Sequence, residues 1–310
     1  MPDSSQVSVV IPTRNRPELV VRAVRSALAQ TYSCMEIVVV LDGPDPAAFE
    51  ALEAINDSRV RIVELPESRG GSGARNAGVD AAKGKWIAFL DDDDEWLEQK
   101  IELQMQLALR SRFSFPIISC RIIARTPIAE YLWPRRLPSA HEPVSDYLFC
   151  RHGLFQGEGL IATPTILTRR ELLCAVPFSN ALKKHQDWDW VIRACKVAGA
   201  SLEFCPDALA ICHMDQAFTG ISNADDWAYS LQWIRNRRLD VTARAYAAFL
   251  LVVVAAQAAA TSTAREYLAL LSEAMNAGSP SLLEIALFAG MRVIPRGTRR
   301  RLRAAMGGAQ

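Results

Sequence analysis

Four short apolar runs, separated by stretches of helical periodicity, constrain the N-terminal third of this chain more than any other feature. Val7-Ser8-Val9-Val10-Ile11, Glu36-Ile37-Val38-Val39-Val40-Leu41, Val60-Arg61-Ile62-Val63 and Trp86-Ile87-Ala88-Phe89-Leu90 each suit a strand buried on both faces. After the first run, Asn15 is placed to cap a helix with Pro17 in its first turn and Val20, Val24, Ala27 and Leu28 on its inner face. A short helix is expected over Ala47 to Ile55, and the segment Arg69 to Ala82 is glycine-rich and then helical. Strands that alternate with helices in this order give an α/β fold, with a doubly wound, mostly parallel sheet.

In such sheets, ligands bind outside the carboxyl ends of the strands. Those ends carry Pro12-Thr13-Arg14, Asp42-Gly43 and the run Asp91-Asp92-Asp93-Asp94, so three distant segments are expected along one edge. Four adjacent carboxylates repel one another, and burying any of them uncompensated costs several kcal/mol. A hard divalent cation held through oxygen is the usual remedy, and a solvated acidic turn before a helix is the structural alternative. Arg69-Gly70-Gly71-Ser72-Gly73-Ala74-Arg75 permits tight turns at a helix N-terminus that favours an anion, and its arginines suit phosphate. No Gly-Lys-Ser/Thr follows, and the position is too late in the chain for a dinucleotide fingerprint.

Further on, His185-Gln186-Asp187-Trp188-Asp189-Trp190 opens another helix. Asp187 is there either a simple cap or a functional carboxylate, and both tryptophans are expected to pack inward. His213 closes the last apolar strand, after two short strands expected over Ser201 to Cys205 and Ala208 to Cys212. Prolines at 116, 127, 134, 138 and 143 make the segment from Phe113 to Pro143 read as a loop-rich insert that shapes a pocket. From about Asn223 the chain reads as helices alone, which divides it into residues 1–222 and 223–310.

Charge excludes one class of partner: 35 basic against 34 acidic residues leave a net charge of +1, with no global field to recruit nucleic acid. Seven scattered cysteines without a C-x-x-C pair argue for reduced thiols in a cytoplasmic setting and against a zinc site. The N-terminus has no basic region before its apolar run, so it does not read as a secretion signal. Ala245 to Ala260 is apolar but short of a membrane span, which favours a buried helix. Residues 281–310 hold six arginines against one glutamate, a local balance of +5. An apolar stretch beside such a cluster either docks peripherally on an anionic membrane face or forms a solvated tail.

Together, VSVVIPTRNRPELVVRAVRSALAQTY, EIVVVLDG, SRGGSGARNAG, WIAFLDDDDEW and HQDWDWVIRA resemble, in order and spacing, the landmarks of the family 2 glycosyltransferases, which are inverting enzymes of GT-A fold. The resemblance covers about residues 6 to 215 and departs from the family pattern at Gln186, where a Glu is usual. It implies transfer of a sugar from a nucleotide-diphosphate sugar, UDP by default, to a hydroxyl of a glycan or lipid-linked acceptor. Pro12, Thr13, Arg14, Asp42 and Arg69 would bind the nucleotide, with Asp92 or Asp91 on the ribose. Asp93 and His213 would ligate Mn²⁺ or Mg²⁺, and Asp187 would be the general base. Arg75, Gln156, Gly157, Thr163 and Trp188 would line the sugar and acceptor pocket. Two rivals remain: a binding module that has lost catalysis, and a sugar-phosphate nucleotidyltransferase. The latter would place a glycine-rich loop directly after the first strand, where Pro12-Thr13-Arg14-Asn15 stands instead.

Overall fold

The computed structural model describes residues 5–127, 129–154, 157–214, 226–294 and Thr298. Contacts divide the chain into two units: Met1–Trp133 with Ile161–Ala217, and Pro134–Leu160 with Phe218–Gln310. The division expected from sequence, 1–222 and 223–310, did not assign residues 134–160 to the helical unit.

The first unit is built on one sheet with helices between its strands, the α/β class expected. Strands β1 (Val7–Thr13), β2 (Met35–Leu41), β3 (Val60–Glu64) and β4 (Trp86–Phe89) pair in parallel in the order β3-β2-β1-β4. Their side chains are wholly buried in β2 and β4, as continuous apolar runs require. Helices α1 (Pro17–Leu28), α2 (Pro46–Glu53) and α3 (Gly70–Ala81) form the intervening connections. Asn15 does not cap α1: Arg16 holds that position without a side-chain bond. Asn15 instead has a φ of 55° and donates its backbone N–H to Asp45 Oδ2 at 2.6 Å.

Beyond β4 the pairing changes hand. Short β5 (Glu95–Trp96) precedes α4 (Lys100–Arg110), and β8 (Leu167–Arg169) lies antiparallel between β4 and β6 (Phe115–Arg125). Helices α6 (Arg170–Ala175) and α7 (Gln186–Ala194) lead to β9 (Ala200–His213), which runs parallel to β6 and antiparallel to β5. The expected loop-rich insert is therefore wrong for residues 115–125, which form one of the long strands, with β7 (Glu130–Trp133) hairpinned onto it. Pro116 is near the start of β6, where its missing N–H disrupts little of the ladder. The two short strands expected near the end are one 14-residue strand. Irregular register opposite Cys120, Arg121 and Ile122 accommodates Pro206 and Asp207, which had read as a break.

The second unit contains α5 (Val144–Phe149), α8 (Trp227–Asn236), α9 (Ala243–Phe249), α10 (Ala255–Ala258), α11 (Ala264–Ala277) and α12 (Leu282–Val293). A π-helical turn, Leu250–Val254, joins α9 to α10, and the alanine-rich segment around it is largely buried, as expected. Phe149 packs edge-on against Phe249 at 4.9 Å and Trp233 at 6.2 Å in this core. Among the described residues, no helix is long and apolar enough to cross a membrane.

One glycine fixes how α3 approaches the sheet. A Cβ on Gly78 would lie 2.3 Å from Val10 Cγ1 and 3.1 Å from Val40 Cγ2. Gly78→Ala is thus expected to destabilise the fold by about 1–3 kcal/mol through overpacking, read as a lower urea midpoint at unchanged m-value.

Candidate functional site

The ends of β1 and β2 are in register, Thr13 opposite Leu41, and Asp42 donates its N–H to Thr13 O at 2.9 Å. The Asp42 carboxylate then accepts from Ser68 Oγ (2.7 Å), Arg69 N (2.6 Å) and Gly70 N (3.0 Å). It thereby satisfies backbone donors where α3 begins, which lets a Gly-Gly-Ser-Gly stretch start a helix despite its poor propensity. Arg14 Nη1 donates to Ser68 Oγ at 2.6 Å, while the Arg14 and Arg69 side chains are exposed at this edge. Pro12 is half-buried in β1.

β4 delivers the acidic run to the same place. Thr13 Oγ1 donates to Asp92 Oδ2 at 2.7 Å, so the expected meeting of strand ends is seen directly. Arg16 Nη1 reaches Asp92 Oδ1 (3.0 Å) and Asp93 Oδ2 (3.2 Å), and Arg22 Nη2 donates to the Asp93 carbonyl at 2.6 Å. These cations did not emerge from the sequence reading, although both follow closely on the first strand. Burial pushes the Asp92 carboxyl up to about 6, with further upward pressure from Asp93 and Asp91. Burial and then Asp91 also raise Asp93, while burial, Asp91 and Asp93 raise Asp94 well above the usual range. Burial, more than mutual repulsion, thus shifts these three carboxyls towards protonation.

Arg75, buried on α3, links this run to the second acidic segment. Its Nη2 contacts Asp91 Oδ1 at 2.5 Å and its Nη1 donates to Gln186 Oε1 at 2.7 Å. Gln186 Nε2 donates in turn to Leu182 O at 2.8 Å, so both halves of the amide are used. A glutamate at this position could accept from Arg75 but could not donate to Leu182.

Asp187 follows in the first turn of α7, behind His185 in the left-handed region at φ 63°. Asp187 Oδ1 accepts from Trp188 N at 2.9 Å. Burial raises this carboxyl to about 6; Arg75 and the Trp188 N–H oppose the rise, and Asp91 adds to it. Trp190 packs inward as expected, stacked on Phe178 at 5.5 Å with Nε1 on Val176 O. Trp188 does not share that burial: it is half-buried and stacks on His185 at 5.0 Å.

Thr163 is buried in a 3-10 turn, Thr163–Thr165, held by Trp96 Nε1 on Pro164 O (2.9 Å) and Gln104 Nε2 on Thr165 O (2.8 Å). Gly157 falls in the second unit, its carbonyl accepting from Arg135 N, and Gln156 lies outside the described residues. His213 donates its N–H to Asp94 Oδ1 at 3.1 Å, and its Nε2 is 2.8 Å from Glu95 Oε1.

Among the described residues, no three His, Cys, Asp or Glu side chains converge as a closed metal cage. The donor chemistry nevertheless fits Mg²⁺ or Mn²⁺, which commonly bind through one or two carboxylates together with substrate phosphates. Desolvated Asp93 beside Asp91 is such a set.

The family profile described as Glycosyl transferase family 2 matches residues 8–174. The amylovoran biosynthesis glycosyltransferase AmsB of Erwinia amylovora is 30% identical over 248 residues, covering 76% of this chain and 79% of the relative. WfgD of Escherichia coli, named a UDP-Glc:alpha-D-GlcNAc-diphosphoundecaprenol beta-1,3-glucosyltransferase, is 33% identical over 137 residues, covering 44% and 54% respectively. Among solved structures, S. aureus TarS 1-349 superposes with a TM-score of 0.57 at 16% identity, over 98% of this chain and 92% of that one. A Pyrobaculum calidifontis mannosyltransferase, solved with GDP-Man and Mn²⁺, gives 0.53 at 18% identity, over 95% and 82%. With the family profile spanning the strand ends and the acidic run, and a relative aligned over most of both chains, this protein belongs to glycosyl transferase family 2 and is a glycosyltransferase.

Proposed function

We propose that the chain transfers a sugar from a UDP-sugar to a hydroxyl of a glycan or lipid-linked acceptor in bacterial envelope polysaccharide synthesis, with inversion at the anomeric carbon. The carrying observation is Asp187: a desolvated carboxylate with its value raised to about 6, connected through Gln186 and Arg75 to the acidic run at the strand ends. Names of relatives support the reading: AmsB is assigned to amylovoran biosynthesis, WfgD uses a UDP-Glc donor and a diphosphoundecaprenol acceptor, and TarS 1-349 was solved with UDP-GlcNAc. Peripheral membrane contact through the basic C-terminus accords with a lipid-linked acceptor.

In this mechanism the acceptor hydroxyl attacks the anomeric carbon from the face opposite the diphosphate. Its proton passes to Asp187, the new C–O bond forms, and the bond to the diphosphate oxygen breaks. Ionised Asp187 accepts the proton more readily because its folded environment already favours the protonated form. Arg75 positions Gln186 and Asp91, and the exposed Arg69 meets the nucleotide diphosphate. Pro12, Thr13, Arg14 and Asp42 frame the nucleotide, and Asp92 or Asp91 reaches the ribose. Asp93 would hold a Mn²⁺ or Mg²⁺ with the diphosphate, and the ion would neutralise negative charge on that leaving group.

Transfer assays separate this reading from a binding module. Asp187→Asn is expected to lower transfer by about 10²–10⁴-fold while UDP still raises the melting temperature. Undiminished transfer by that variant would overturn the base assignment. For the wild-type chain, kcat should fall as pH drops through about 6, because protonation removes the base. Gln186→Glu places a further carboxylate beside Asp187 and should move this acid limb to higher pH, with kcat followed across a pH series.

A further inference from the structure

Helix α12 is amphipathic in an inverted sense. Its single acidic residue, Glu284, is fully buried, with its carboxylate accepting from both Arg244 Nη atoms, from Arg151 N at 3.0 Å and from Ser281 N at 2.8 Å. Phe288, one turn later, stacks on Tyr267 at 4.2 Å, and Tyr267 Oη donates to the Phe288 carbonyl. Arg292, a further turn on, reaches back to Ala259 O at 2.6 Å. The helix is therefore anchored through positions 284, 288 and 292 by an ion pair, a ring stack and a guanidinium bond.

That anchoring turns the opposite stripe outward. Leu282, Ala286, Ala289 and Val293, at helical spacings of four, three and four, are all exposed and form an uncharged apolar line. Leu282 is 86% and Val293 79% exposed. A surface helix ordinarily presents its polar face to water. Elsewhere in this unit, Arg238 Nη2 bonds the carbonyl of Ala277, the last residue of α11, and the adjacent Leu239 is 96% exposed. In sequence, α12 is followed at once by Arg296, Arg299, Arg300, Arg301 and Arg303, with no acidic residue from 285 to 310.

An exposed apolar stripe on a helix whose following sequence is strongly basic matches one partner surface: acyl chains beneath anionic headgroups. We propose that α12 seats the protein on an anionic lipid bilayer, lying in the interface with Leu282, Ala286, Ala289 and Val293 towards the acyl chains; the positive charge of the sequence that follows α12 selects anionic headgroups. A second copy of the chain would cover the stripe equally well but would bring a second arginine cluster with it, which disfavours that occupant. The inference deepens the lipid-linked acceptor reading and rests on it for its biological purpose, but the binding itself requires no turnover.

The test is flotation of the full chain with phosphatidylcholine vesicles, with and without phosphatidylglycerol, in the absence of donor. The chain should float with the anionic vesicles only, and less so as salt is raised. Leu282→Asp/Val293→Asp alters only exposed positions and should weaken vesicle binding by about tenfold or more, with an unchanged melting temperature and unchanged transfer to a soluble acceptor. Leu282→Asp alone should give an intermediate loss. Asp187→Asn should bind vesicles like the wild type, so failure of the catalytic reading and failure of this one are distinguishable. No flotation with either vesicle, or equal flotation of the double variant, overturns the proposal. So does a concentration-dependent dimer that the double variant abolishes, which would identify a second copy as the occupant.

Discussion

Four consecutive carboxylates at the end of a buried strand are an electrostatic liability, and the first unit is organised around managing it. Thr13 donates to Asp92, Arg16 bridges Asp92 and Asp93, Arg22 binds the Asp93 carbonyl, and Arg75 holds Asp91. Each donor comes from β1, the turn after it, α1 or α3, so neutralising the run also draws those elements together. Even so, Asp92, Asp93 and Asp94 all remain shifted towards protonation, by burial first and by their carboxylate neighbours second. A run of desolvated carboxylates is suited to a cation that arrives with a diphosphate.

Arg75 gives this electrostatic arrangement a second consequence. By holding Asp91 with one nitrogen and Gln186 with the other, it ties the end of β4 to the start of α7. Gln186 at this position is more than a neutral replacement for glutamate. Its amide nitrogen satisfies the Leu182 carbonyl, and its lack of charge spares Asp187 another carboxylate neighbour. Burial and Asp91 raise Asp187 to about 6, against the opposing pull of Arg75 and the Trp188 N–H.

Much of the first unit could be read from the chain because its strands are local, uninterrupted apolar runs. The positions of Thr13, Asp42 and Asp92 along one edge followed from strand order alone, and the Thr13–Asp92 bond places them there. β6 and β9 were harder to read. Proline at 116 and at 206 imitates a loop signal, while the strands are sustained by pairing with one another, a contact between segments far apart in sequence. Trp188 and Trp190 carry the same helical signal, yet Trp190 is fully buried against Phe178 and the Val176 carbonyl while Trp188 is half-buried.

Local chemistry was sufficient for the βαβ order, the acidic run, the glycine-rich helix start and the apolar character of the C-terminal helices. Those features depend on residues within a few turns of one another, where periodicity and repulsion act directly. Which cations meet which aspartates, that Arg75 couples two acidic segments, and that α12 turns its glutamate inward and its leucine outward required the tertiary fold. Pairings such as Arg16–Asp93, Arg75–Gln186 and Arg244–Glu284 close over long stretches of chain, and no local propensity selects a polar partner at that distance.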